Sequence, residues 1–312
     1  MDYVTRLVSG TPSYPLPVHG SLDWEGDAAG RVCTEFRLPA TPAGHIIVPS
    51  FAAPACRARY RFELVTSSAS YALQSVPVRD RLTDRATPHK GAAPVSCHID
   101  CWHTHAPIDA STVRLVVDAP CAPGTALATV SARPMALEAP APAAMNVSAG
   151  TPAAISQMQA SNSLRQRICS PTALAMALSV AGPRPSWPEA VAACYDRGTG
   201  AYGSWPLAIR LAACHGRAGA VEVLPDWSSV PAILELGLPM VVSVDYGAGQ
   251  LSGAAIPQTA GHLVTLHSVR GDKAYVYDPA APTHAEVPRA YDLEEFSRAW
   301  LQRRGAAYIF PR

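Results

Sequence analysis

Lysine is almost missing from this chain of 312 residues: Lys90 and Lys273 are the two it has, arginine supplies the remaining positive charge, and the net charge is +1. A near-neutral balance without a basic stripe excludes the electrostatic footprint of a nucleic-acid-binding protein and the polybasic patch of a membrane-surface protein. No apolar run reaches the ~18 residues that cross a bilayer, so no transmembrane helix is expected. The opening residues, Met1-Asp2-Tyr3-Val4-Thr5-Arg6, lack the basic start and apolar stretch of a secretory signal. The expectation is therefore a cytoplasmic chain as written, with export left open. Cysteine, at eight residues, is too sparse for a disulfide scaffold. Cys33, Cys56, Cys97, Cys101 and Cys121 cluster in the first part of the chain; they would be free thiols in a reducing compartment, and one or two disulfides are open to them after export.

What is present is apolar: 48% hydrophobic against 16% charged residues, enough for a sizeable core and for about two domains of ~150 residues. Up to about residue 135 the chain reads as all-β. Arg31–Leu38, His45–Phe51, Ala58–Val65, Val95–His103, Val113–Val117 and Ala126–Ser131 are short β-prone runs separated by Pro, Gly and Ser, the spacing of a β-sandwich. Residues 136–153 are Ala/Pro-rich and aperiodic, a linker or a strap across a boundary. From residue 154 to 312 the pattern changes. Cys169–Ala181 is a helix with Pro171 in its first turn and Gly182 beyond its end. Ser186-Trp187-Pro188-Glu189 is a capping box opening a second helix. Trp205–His215 and Ser229–Leu236 are two more helices, each stopped by glycine. Strands Pro239–Tyr246, His262–Val269 and Lys273–Asp278 follow, then a helix capped by Asp292 and a last strand, Ala306–Phe310. Helices first and an antiparallel sheet afterwards is an α+β arrangement.

Thiol chemistry needs a stabilised thiolate, a base within reach of it and a group that orients the base. Cys169 stands at a helix N-terminus, where the dipole and free N–H groups favour the thiolate. His262 follows Gly261 and opens an apolar strand, so it can face a cleft while its neighbours fill the sheet. Asp278 closes the next strand and can accept the ring N–H of His262, which fixes the tautomer. With the turn centred on Arg270, positions 262 and 278 lie opposite each other. Centred on Gly271-Asp272, the register slips by about three residues and a bulge is required. Taken singly, each residue has an ordinary explanation: a buried structural cysteine, a satisfied surface histidine, an Asp-Pro turn. Their order, and the place of each at the proper end of its element, favour nucleophile, general base and orienter.

Cys169-Ser170-Pro171-Thr172, Gly261-His262-Leu263-Val264 and Val276-Tyr277-Asp278-Pro279 together resemble cysteine peptidase family thirty-nine, the bacteriocin-processing type of the papain-like clan. The resemblance covers about residues 152–312 and is nearest to stand-alone bacterial domains of that group. It implies a papain-like peptidase fold with Cys169, His262 and Asp278 as a catalytic triad, no cofactor, and a peptide or protein substrate. Ser170 departs from the glycine usual after the nucleophile. The family also uses a glutamine upstream of the cysteine for the oxyanion hole; Gln157, in Ile155-Ser156-Gln157-Met158, is the best match, with Gln159 and Gln166 as alternatives. A Gly-Trp-Pro loop lies near the cleft in that group, which brings Tyr202 and Trp205, with Gly261, forward as substrate-binding residues; Trp205 as a core anchor at its helix start is the competing reading.

The glycine-rich loop Gly198–Trp205 is not a phosphate cradle, because no Gly-Lys-Ser/Thr follows. Cys97, Cys101, His103 and His105 share one face if their segment is a single strand, but Cys97 and His105 would then stand roughly 26 Å apart, too far for one tetrahedral zinc. A bent loop would gather two or three of them, but a strand with an optional disulfide is the favoured reading, and no metal is expected. Cys194 and Cys214 read as core, and His215 and His267 have no placed partner. Three functions follow: a hydrolase of peptide or amide bonds through a Cys169 thioester, an acyltransferase or transpeptidase through the same thioester, and a non-catalytic binding protein whose β domain recognises a carbohydrate or protein ligand.

Overall fold

The computed structural model describes residues 3–7 (as backbone), 22–54, 56–78, 93–121, 123–124 and 126–310. Parts of the 1–135 segment, and Met1 and Asp2 of the leader reading, lie outside them.

The first strands are β1 (Tyr3–Leu7), β2 (Glu25–Gly26), β3 (Val32–Leu38), β4 (His45–Ala52) and β5 (Tyr60–Val65). They continue with β6 (Ser70–Ala72), β7 (Val95–Cys97), β8 (Trp102–Thr104), β9 (Ser111–Val117) and β10 (Leu127–Pro134). Two five-stranded sheets result, in the orders β1-β10-β4-β8-β7 and β2-β3-β9-β5-β6. In β3 buried residues alternate with exposed or half-buried ones and in β5 with half-buried ones, as a strand with one face in the core requires. Phe36, Phe62 and Leu115 of one sheet share a core with Ile47, Trp102 and Val130 of the other. The run Val95–His103, expected as one strand, is instead the β7–β8 hairpin, closed by a His98 N–H to Cys101 carbonyl bond of 2.9 Å. The chain reverses there, so Cys97, Cys101, His103 and His105 do not line one strand face, and no group of three metal-ligating side chains occurs among the described residues.

Within residues 136–153, β11 (Met145–Ser148) pairs with a long strand of the second half. There the elements are α1 (Cys169–Leu178), α2 (Trp187–Ala193), α3 (Trp205–Cys214), β12 (Ala220–Val223), α4 (Val230–Glu235) and β13 (Met240–Tyr246). They end with β14 (Thr259–Gly271), β15 (Lys273–Tyr277), β16 (Pro288–Asp292), α5 (Leu293–Trp300) and β17 (Ala306–Ile309). One seven-stranded antiparallel sheet, β12-β17-β13-β14-β15-β16 with β11 on β14, is covered on one face by α1–α3 and on the other by α4 and α5. Helix α1 is buried from Ser170 through Leu178, which explains its apolar sequence all round. The capping box at Ser186 and Glu189 and the Asp292 cap both form, the latter accepting from Glu294 and Glu295 N–H. Strands β12, β16 and β11 were not legible as such. No described helix is long and apolar enough to cross a membrane.

The two halves interlock. Strand β12 is a sheet edge, and its outward N–H groups on Val221 and Val223 donate to the Ser50 and Ser131 hydroxyls of β4 and β10 at 3.0 and 3.1 Å. Such an edge would otherwise be open to pairing with another chain. Arg133, 1% exposed, reaches from β10 into the second half and donates to the carbonyls of Leu224 (2.5 Å) and Leu301 (2.6 Å). Burial lowers its pKa to about 10, still well above neutral. Gln74 likewise donates to the buried Asp196 carboxylate at 2.8 Å. All eight cysteines are free thiols; Cys194 is buried as expected, while Cys214 is only half-buried.

Candidate active site

Cys169 is the first residue of α1. The helix is held rigidly behind it: Thr265 of β14 donates to the Ala173 carbonyl at 2.9 Å, and the Trp187 indole donates to the Thr172 hydroxyl at 2.9 Å. The Ser170 hydroxyl, fully buried, bonds the Tyr308 hydroxyl at 2.8 Å. A serine at this position therefore has a structural partner that a glycine would lack.

His262 lies opposite Val244 in the β13–β14 ladder and is 3% exposed. Its Nε2 is 2.7 Å from Oδ1 of Asp278, which leaves Nδ1 for the thiol of Cys169. The β14–β15 turn is centred on Gly271-Asp272, with Arg270 opposite Lys273 and Gly271 at φ +59°. The required bulge is present: the register shifts between Leu266 and Ser268, leaving His267 unpaired. Its effect is one of parity. Without the extra residue His262 would point to the face opposite Asp278; with it, the two share a face. The bulged His267 packs edge-on against Tyr277 at 5.2 Å and its Nδ1 has no partner among the described residues.

Asp278 is 1% exposed and fully bonded. Oδ1 also accepts from the Ala280 N–H at 2.9 Å and Oδ2 from the Tyr291 hydroxyl at 2.7 Å. Tyr291, on β16, was missed by the sequence reading, because only the β15–β16 pairing brings it to Asp278. Electrostatics follow from the packing. For His262, burial disfavours the imidazolium, but the charge and hydrogen bond of Asp278, together with Cys169, outweigh it and raise the pKa to about 10. For Cys169, burial opposes the thiolate, but the hydrogen bond and charge of His262, with the Leu263 and Ser170 N–H groups, bring its pKa below the ordinary thiol value. For Asp278, burial is likewise outweighed by His262, Tyr291 and the Ala280 N–H, which hold the carboxyl ionised. All three shifts run in the direction that favours a thiolate on Cys169, an imidazolium on His262 and a carboxylate on Asp278.

Gln157 is 4% exposed in a short helical turn, and its backbone N–H donates to the Pro279 carbonyl, tying it to the residue after Asp278. Its side-chain amide donates to the Arg165 carbonyl at 2.7 Å, which leaves a second N–H, and its Oε1 has no partner among the described residues. Gln159 is turned to the Pro282 carbonyl at 2.8 Å, and Gln166 is exposed. Gly261 is exposed beside His262. Tyr202 stacks with Tyr195 at 5.1 Å, lies under the Arg167 guanidinium and lines an apolar pocket of about 680 Å³ with Ile168 and Trp187. Trp205 is 7% exposed and packs in the core at the start of α3, so it is an anchor with one edge on a separate, polar cavity. His215 acquires a partner, Glu189, at 3.0 Å.

A profile of the Peptidase_C39 like family matches residues 153–308. No curated protein matches the chain. Among solved structures, the double glycine motif protease from an AMS/PCAT transporter, in complex with the leader peptide, aligns with 53% of this chain and 96% of its own. It does so at 20% identity and a TM-score of 0.36.

Proposed function

The chain belongs to the Peptidase_C39 like family and is a cysteine peptidase at that level, and from this premise we propose that it hydrolyses a peptide or amide bond through a thioester on Cys169. The observation that carries this reading is the continuous chain from the Cys169 thiol through the buried His262 ring to Asp278, with 2.7 Å between Nε2 and Oδ1. In the resting site the thiolate faces the imidazolium. The thiolate attacks the substrate carbonyl, the oxyanion is met by the free amide N–H of Gln157 and a backbone N–H at the start of α1, and His262 delivers its proton to the leaving amine. Water, deprotonated by His262, then releases the acyl group. Asp278 and Tyr291 hold the ring and its charge throughout. We read residues 1–135 as an all-β sandwich-like domain, 136–153 as the connecting segment and 154–312 as the papain-like peptidase domain. Digestion of a proteome-derived peptide library in heavy-oxygen water tests this: new C-termini carrying the heavy isotope are expected with the wild type and none with Cys169→Ala. Products extended by an added amine instead would make the protein an acyltransferase.

A further inference from the structure

Residues of both halves meet in a cavity of about 260 Å³, and one of them, Arg304, reaches towards β14. Arg304 forms the wall nearest His262: a Cβ placed on Gly261 would stand 3.7 Å from its Nη1. Facing it are Gly203 and Trp205 at the start of α3, and the floor is made by His98, Asp100 and His103 of the β7–β8 hairpin. Arg304 is exposed and makes no hydrogen bond or ion pair among the described residues. Its backbone, by contrast, is fixed from the other half of the molecule, since Arg133 clamps the carbonyl of Leu301 and Gly305 leaves the space that the Arg133 guanidinium fills. The rings of His98 and His103 stack at 4.0 Å. Burial is the first cause lowering the pKa of His103, to about 4, so it is a neutral hydrogen-bonding group at pH 7. Asp100 shares the cavity with Arg304: its Oδ2 accepts the Trp205 N–H at 3.2 Å, and burial raises its pKa to about 6 while that bond and the charge of Arg304 pull it down.

An unpaired guanidinium on a fixed turn, at the lip of a cavity with neutral imidazoles behind it, is built to receive a carboxylate in the bidentate manner. We infer that this cavity is a substrate subsite for an acidic side chain, Asp or Glu, standing within two residues of the scissile bond, with Arg304 as the specificity-determining residue. The inference rests on the peptidase reading above. Asp100 would repel an acid that reached the floor, which confines the carboxylate to the Arg304 side. On this account the N-terminal β sheets are part of the peptidase's substrate site, since they supply the floor and hold the Arg304 turn.

The test is the cleavage profile of the full-length protein on a proteome-derived peptide library. Asp or Glu is expected at one fixed position within two residues of the cut, favoured about tenfold over Asn and Gln, the ratio that one charge-assisted hydrogen-bonded pair supplies. Arg304→Gln should remove that preference, and Arg304→Glu should replace it with one for Lys or Arg. Cleavage without acidic enrichment, enrichment of Lys or Arg by the wild type, or an acidic preference that survives Arg304→Gln overturns the subsite and leaves the peptidase reading standing. Absence of any cleavage overturns the peptidase reading itself.

Discussion

Gly305→Ala is the substitution whose cost is most fully set by the packing between the two halves. Gly305 has φ +62°, and a Cβ there would stand 2.0 Å from Nη1 of Arg133 and 2.2 Å from the Leu224 carbonyl oxygen. A left-handed conformation costs a non-glycine residue about 1–2 kcal/mol. The steric conflict adds more, because the Leu224 oxygen is backbone and Arg133 has no free space. If the guanidinium is pushed aside, the bonds to Leu224 and Leu301 are lost in a buried setting, at about 1–3 kcal/mol for each group left unpaired. We expect a destabilisation of about 3 kcal/mol or more, read as a lowered midpoint in urea unfolding followed by circular dichroism. Arg133→Met should cost about 2 kcal/mol or more for the same orphaned carbonyls. The two changes remove the same bonds, so the double variant should fall short of additivity by at least about 1 kcal/mol. A Gly305→Ala protein within about 0.5 kcal/mol of wild type, or strict additivity with Arg133→Met, would refute the clamp.

Asp278→Asn should slow alkylation of Cys169 at pH 6 by at least about tenfold, because the imidazolium loses the charge that sustains it and the thiolate loses its partner; peptide mass spectrometry reads the rate. The same groups give the pH dependence of stability. The raised pKa of His262 contributes stability that is full below its unfolded value and lost as pH rises towards about 10, and the depressed pKa of Asp278 contributes stability that is lost as pH falls through the acid range. A urea midpoint that is flat from pH 3 to pH 10 would contradict both. Deleting His267 should return His262 to the wrong face of β14 and abolish low-pH labelling while far-ultraviolet circular dichroism is retained. Ser170→Ala should lower stability by about 1 kcal/mol, since the buried Tyr308 hydroxyl loses its partner.

Local signals carried the second half well. The Pro171 and Gly182 punctuation around α1, the Ser186 capping box and the Asp292 cap are short-range chemistry, and each helix begins where that chemistry places it. The grouping of Cys169, His262 and Asp278 was legible from sequence order and local context: Cys169 opens α1, Asp278 directly follows β15, and His262 lies near the start of β14, three residues inside it. What was not legible depends on pairing between distant segments. The bulge at His267 settles which face His262 takes, yet nothing in Val264–Val269 marks one residue as extra. Tyr291 reaches Asp278 only through the β15–β16 register. Arg133 reads as one more arginine in a β run until β10 is packed against the second half. In Val95–His103 the β propensity was right and the reversal at His98–Cys101 was hidden, which is why a single-strand picture spread the cysteines and histidines too far apart.

The central claim, a thiolate held by His262, is tested most directly by the rate of iodoacetamide alkylation at Cys169 across pH, in the wild type and in His262→Ala. Fast labelling below pH 7 that disappears in the variant is the expected result. A rate that rises only near the ordinary thiol pKa of ~8.5, and identically in both proteins, would contradict the account.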